Sequence, residues 1–108
     1  MIRIAATGHR SNKLWGYNYN DPHYRILKNI FESHIINAIN NTEDRTVECI
    51  SGMALGTDTI FALAALEVSL LGYNVNLVAA IPFKGQELRW PENSIKLYNH
   101  ILNYAHET

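Results

Sequence analysis

Apolar residues along the chain fall in short unbroken runs, and these alternate with longer stretches where they recur every three or four positions. Ile2-Arg3-Ile4-Ala5-Ala6, followed by Thr7-Gly8, reads as a first strand. From Tyr24 the apolar positions Ile26, Leu27, Ile30, Phe31, Ile35, Ala38 and Ile39 form one helical stripe, ended by Asn40-Asn41 and the polar run to Arg45. Val47-Glu48-Cys49-Ile50-Ser51 is a second strand, stopped by Gly52. A helix from Thr59 to Leu71 follows, with Asp58 as its cap, Ile60, Ala64, Val68 and Leu71 on one face, and Gly72 as terminator. Val75 through Ile81 reads as a third strand, apolar on both faces as a buried parallel strand is, and Pro82 ends it. Pro91 suits the first turn of a last helix carried by Ile95, Tyr98, Ile101 and Leu102. Residues 8–23 and 83–90 are left as loops, the first long enough to expect a functional role.

The predicted order is β-α-β-α-β-α, which right-handed crossovers fold into a parallel sheet carrying helices. This is the mononucleotide-binding half of a doubly wound fold: a Rossmann-like, three-layer α/β half-fold with strand order 3-2-1. The 108 residues suit one domain spanning the whole chain. With 47% hydrophobic and 18% charged residues the composition is that of a globular protein.

A formal charge of -1 argues against the counterion-release binding to nucleic acid of a basic domain. A lone Cys49 excludes an intramolecular disulfide framework and a cysteine-rich zinc site; inside the second strand it is expected to be a buried, inert thiol. No apolar run approaches the roughly 20 residues of a membrane span. Met1-Ile2-Arg3-Ile4 lacks the pattern of a signal peptide, so a soluble, cytoplasmic protein without membrane partners is expected.

In open parallel sheets ligands bind beyond the carboxyl ends of the strands. Three loops must share that edge here: Thr7-Gly8-His9-Arg10, Ser51-Gly52-Met53-Ala54-Leu55-Gly56-Thr57-Asp58 and Pro82-Phe83-Lys84-Gly85-Gln86. In the second, two glycines four apart flank a strand-to-helix turn. Either they only make the turn, or they let backbone amides, Ser51 and Thr57 hold a phosphate at the positive end of the helix. Asp58 argues against a bare phosphate directly there; its carboxylate either caps the helix or takes ribose hydroxyls. Arg10 suits bidentate phosphate contacts, against the alternative of a solvated side chain. His9 is an acid–base candidate without an evident orienting partner. Trp15, Tyr17, Tyr19 and Trp90 offer faces for a base or simply pack the loops. Gln86 reads a base edge or is an exposed loop amide. His34 is expected to be structural, and His100 and His106 to lie at the surface. No His, Asp or Glu set has metal spacing, and no serine-hydrolase elbow occurs.

Thr7-Gly8-His9-Arg10, Leu14-Trp15-Gly16-Tyr17, Ile50 through Asp58, and Ala80-Ile81-Pro82-Phe83 with Gln86 and Trp90 together resemble the YpsA-like family of the SLOG superfamily of Rossmann-like domains. The Ser51–Asp58 stretch is also similar to a loop of DprA, a DNA-processing relative. The resemblance implies a site for a nucleotide or nucleotide derivative at the strand ends. It would be lined by Thr7, Gly8, His9, Arg10, Ser51, Gly52, Met53, Gly56, Thr57 and Asp58, with Pro82, Phe83, Gln86 and Trp90 as a third wall. Ser11 departs from the proline usual after Thr-Gly-His-Arg. The LOG phosphoribohydrolases of this superfamily carry a catalytic Glu on a second Gly-rich loop, and this chain stops at Ala105-His106-Glu107-Thr108 before any such loop. The expectation is therefore non-catalytic sensing or sequestration of a ligand of the ADP-ribose or NAD type, with no other cofactor and no metal. The alternatives are a LOG-like nucleotide N-glycosidase, a DprA-like module for single-stranded DNA, and a protein-binding module with a decayed pocket. The first strand, apolar and at an edge, is expected to pair with a second copy and so to share the ligand crevice between two subunits.

Overall fold

A computed structural model describes residues 1–6 and 21–105. Six elements follow in order: β1 (Ile2–Ala5), α1 (Pro22–Asn40), β2 (Thr46–Ser51), α2 (Thr57–Leu70), β3 (Asn74–Ala79) and α3 (Glu92–Tyr104). The three strands are parallel and lie in the order β1-β2-β3, the expected 3-2-1 order seen from the other edge. Ala5 is level with Ile50, and Ser51 with Ala79, so the carboxyl ends of the strands form one rim.

α1 starts two residues before the expected Tyr24. The Asp21 carboxylate accepts from the His23 backbone N–H at 2.8 Å, and Pro22 takes the first turn, where its missing N–H has no helical partner to lose. Of its apolar stripe, Ile35 and Ile39 are buried, while Ile26 and Ile30 are exposed. His34, expected to be structural, is exposed, as is His100.

α2 is the central helix. Ile60, Phe61, Ala62, Ala64, Ala65 and Val68 are all buried, because α1, β3, β2 and α3 each pack against it. The Phe31 and Phe61 rings meet edge to face at 5.3 Å and join α1 to α2. Leu71, assigned above to the buried face, lies just past the helix and is 62% exposed. The chain reverses at Gly72 with φ +100, which closes the helix before Leu71 can reach the core.

β3 differs from expectation. It ends at Ala79 rather than Ile81, and it alternates instead of being apolar throughout: Val75, Leu77 and Ala79 are buried, Asn74 and Asn76 exposed. The alternation has a topological cause. Two consecutive right-handed crossovers in the same direction put α1 and α2 on the same face of the sheet. That face holds the buried Val47, Cys49, Ser51, Val75, Leu77 and Ala79. α3 packs on α2, and its Tyr98 and Ile101 join the same core. On the opposite face Arg3, Ala5, Glu48, Ile50, Asn76 and Val78 are none of them buried. The described residues thus build two layers, not the three expected.

Cys49 has no exposed surface, and burial pushes its thiol up to about 12, as an inert core residue requires. Among the described residues no helix is long and apolar enough to cross a membrane.

The α1 cap carries a pH signature. The His23 backbone N–H, then the His23 side chain, hold the Asp21 carboxyl below its ordinary value of 3.8. A carboxyl lowered by folding adds stability above that ordinary value, and the contribution is lost as pH falls through the folded value. Asp21→Asn keeps a capping oxygen but cannot titrate. In urea melts at successive pH values, the stability difference between the two proteins should be constant at neutral pH and shrink below pH 3.8. A difference that holds unchanged into acid would contradict this role.

Candidate functional site

The rim is built from the β2–α2 and β3–α3 loops. β2 ends at Ser51, whose side chain is 2% exposed and whose hydroxyl works twice. It accepts from the Met53 N–H at 3.1 Å and donates to the Asp58 carbonyl at 2.9 Å. The loop is thereby tied to the first turn of α2 at both ends. Thr59 Oγ1 adds a bond to the Ala54 carbonyl at 2.8 Å. Asp58 Oδ2 accepts from the Ala54 N–H at 3.4 Å.

These bonds settle what the side chains of this loop do. Asp58 is not the helix cap: α2 begins at Thr57, its cap residue is Gly56 at φ +94, and no side chain caps it. Asp58 sits in the first turn, where a carboxylate favours the positive helix end, and reaches back to the preceding loop. A Cβ on Gly52 would lie 3.0 Å from Asp58 Oδ2, so glycine is what lets the carboxylate close over the turn. Met53 takes φ +59, a left-handed conformation costly for a side-chain-bearing residue, and buries its side chain completely. Thr57 is also buried. The surface the loop presents is made by Gly52, Ala54 and Asp58, which are half-buried.

The third loop folds down onto the second. Gly85 turns the chain at φ +84, followed by the bonds Leu88 N–H to Gly85 O at 3.2 Å and Trp90 N–H to Glu87 O at 3.0 Å. Gln86 is not a dangling amide. Its Nε2 donates to the Gly52 carbonyl at 3.0 Å. The Ala80 N–H donates to the Ser51 carbonyl at 2.7 Å, a second bond between the same strand ends. Trp90 is half-buried and meets the Tyr98 ring edge to face at 5.3 Å, so it packs as a wall. Pro82 and Phe83 are exposed at the lip, Phe83 by 61%.

The structure therefore brings Ser51, Gly52, Met53, Gly56, Thr57, Asp58, Gln86 and Trp90 together at one rim, with Pro82 and Phe83 beside them. Thr7, Gly8, His9 and Arg10, and the aromatic candidates Trp15, Tyr17 and Tyr19, lie outside the described residues, as does His106. Two residues of the rim were missed as such in the sequence. Tyr98 was assigned only to a helix face, although a tyrosine at a core position signals a hydroxyl that needs a partner. Burial, the largest influence, raises its phenol above the ordinary value, opposed by the Gln86 hydrogen bond. Thr59 was read only as the start of a helix, and nothing in its spacing announces the bond to Ala54.

The strained residue offers a test. Met53→Gly would relieve a left-handed conformation worth about 1–2 kcal/mol but delete a fully buried side chain worth about 2–5 kcal/mol. Packing should win: a lower urea midpoint with an unchanged slope, a net loss of about 1–3 kcal/mol. A more stable variant would show that the backbone strain dominates.

Comparison with known proteins places the chain in a family. A family model described as the YspA SLOG family matches residues 4–108. The UPF0398 protein LBA1157 of Lactobacillus acidophilus is 29% identical over 94 residues, which cover 87% of this chain and 49% of that protein. The chain thus spans about half the length of the curated relative it matches. With nearly every residue inside the family match, from the strand before the first loop through the last helix, the chain belongs to the YspA SLOG family.

Proposed function

We propose that the chain binds a nucleotide or nucleotide derivative, of the ADP-ribose or NAD type, at the rim above Gly52, and that it senses or sequesters this ligand without transforming it. The observation that carries the reading is the bond from Gln86 to the Gly52 carbonyl, which joins two strand-end loops into one preformed surface. Preformed surfaces bind without a large ordering cost. The first turn of α2 adjoins that surface through Asp58, and helix starts favour phosphate groups. Phe83 supplies an exposed ring at the lip, suited to stacking on a base. Membership of a family of Rossmann-like domains supports the nucleotide class. Asp58, the carboxylate at the rim, supports the absence of turnover. Asp58 is occupied by the Ala54 N–H and sits against Gly52, a supporting rather than a reactive position.

Calorimetric titration of the purified chain with AMP, ADP-ribose and NAD tests the reading, with chromatography of each mixture afterwards. Saturable binding of at least one ligand is expected, with the ligand recovered intact. Gly52→Val crowds Asp58 and fills the surface, and Phe83→Ala removes an exposed ring at no cost to the core. Each should weaken binding about tenfold or more, that is by about 1.4 kcal/mol, with unchanged far-ultraviolet dichroism. Release of free base, abolished by Asp58→Asn, would instead make the protein an N-glycosidase. No binding of any of the three would end the proposal.

A further inference from the structure

Resting on the nucleotide-binding reading above, we infer that the Gly52–Asp58 corner of the rim receives the ribose hydroxyls of the ligand and keeps its phosphates away. The space at Gly52 decides this. A Cβ there would lie 3.0 Å from Asp58 Oδ2 and 3.8 Å from the Ala80 carbonyl oxygen. A carboxylate and a backbone carbonyl both only accept hydrogen bonds. A ligand group resting on Gly52 therefore meets two acceptors, one of them formally charged. Of the backbone donors around it, the Ala54, Met53 and Ala80 N–H groups are engaged. Ala54 donates to Asp58 Oδ2 at 3.4 Å, Met53 to the Ser51 hydroxyl at 3.1 Å and Ala80 to the Ser51 carbonyl at 2.7 Å. The Gly52 carbonyl itself holds Gln86 Nε2 at 3.0 Å.

Phosphate and hydroxyl respond to this corner in opposite ways. The start of α2 carries about half a unit of positive charge, which draws phosphate toward the rim. Asp58 reaches back from that first turn and sets a full negative charge beside Gly52. Phosphate is repelled at this point and lies off Gly52. A hydroxyl instead donates its proton, and the vicinal hydroxyls of ribose offer two donors side by side. Hydrogen bonds from a hydroxyl to a carboxylate are about twice as strong as neutral ones. The Asp58 carboxylate is not committed to capping α2, whose cap residue is Gly56. With about four acceptor sites, a carboxylate can hold its own loop and receive ligand hydroxyls together. The exocyclic amine of a base is the competing donor. Its ring needs a flat apolar neighbour, and the rim offers that at the exposed Phe83, not at the oxygens around Gly52.

Calorimetric titration with AMP and with 2′,3′-dideoxy-AMP tests this, because the two differ only in the sugar hydroxyls. AMP should bind the unaltered chain at least about tenfold more tightly, the effect of a hydrogen bond to a charged group. Asp58→Asn replaces one acceptor oxygen by a donor at nearly constant shape. In that variant the preference for AMP should fall below about threefold, whatever happens to affinity overall. An Asp58 that only props the loop would weaken both ligands alike and leave their ratio unchanged, which overturns the inference. Equal binding of the two nucleotides by the unaltered chain also overturns it, independently of how the variant folds, and leaves the nucleotide site standing. Absence of binding by both nucleotides overturns the site and its ribose corner together.

Discussion

The Ser51 hydroxyl holds the rim together. It is buried at the end of the central strand, accepts from the backbone two residues ahead and donates to the backbone seven residues ahead. A hydroxyl can do both at once because it carries one proton and two lone pairs. The result is a turn tight enough to force Met53 into a left-handed conformation and to bring Asp58 against Gly52. That turn aims the start of α2 at the rim and presents the Gly52 carbonyl to Gln86. Loss of the hydroxyl would strand the buried Met53 N–H, which costs more than the bond itself contributes.

From Ser51 the organisation spreads outward through bonds between loops that are far apart in sequence. Gln86 couples the third loop to the second, and Trp90 packs on Tyr98 of α3. The last helix thus supports the rim although it contributes no residue to its surface among those described. The same topology that gathers the loops also leaves the described residues one-sided. Successive crossovers in one direction put α1 and α2 on a single face, and on the opposite face none of the described strand residues is buried.

The element order and strand order were legible because hydrophobic period and turn residues agree at each boundary. Gly52 and Gly72 end β2 and α2 near where they were expected to. The start of α1 was also legible in principle, since Asp21-Pro22 is a cap followed by a first-turn proline, yet the apolar stripe starting at Tyr24 drew the boundary inward. β3 misled for a different reason: Val75 to Ile81 is apolar enough for a two-sided strand, but Asn76 already marked a face that no helix of the described residues covers. At the site, glycine spacing located the loop correctly. It did not reveal which polar side chains face inward, because Ser51, Asp58 and Gln86 find their partners only after the chain has folded. A buried hydroxyl and a ligand-binding hydroxyl look the same in one dimension.

The account rests on the rim above Gly52 being a ligand surface and not merely a well-tied turn. Two-dimensional amide NMR of the uniformly labelled chain, titrated with ADP-ribose, reads this residue by residue. The largest shifts should fall on the backbone amides of Gly52 and Ala54 and on the side-chain amide of Gln86, with residues at the opposite end of the sheet, such as Asn74, unmoved. Shifts confined to residues away from the rim, or none at saturating ligand, would contradict it.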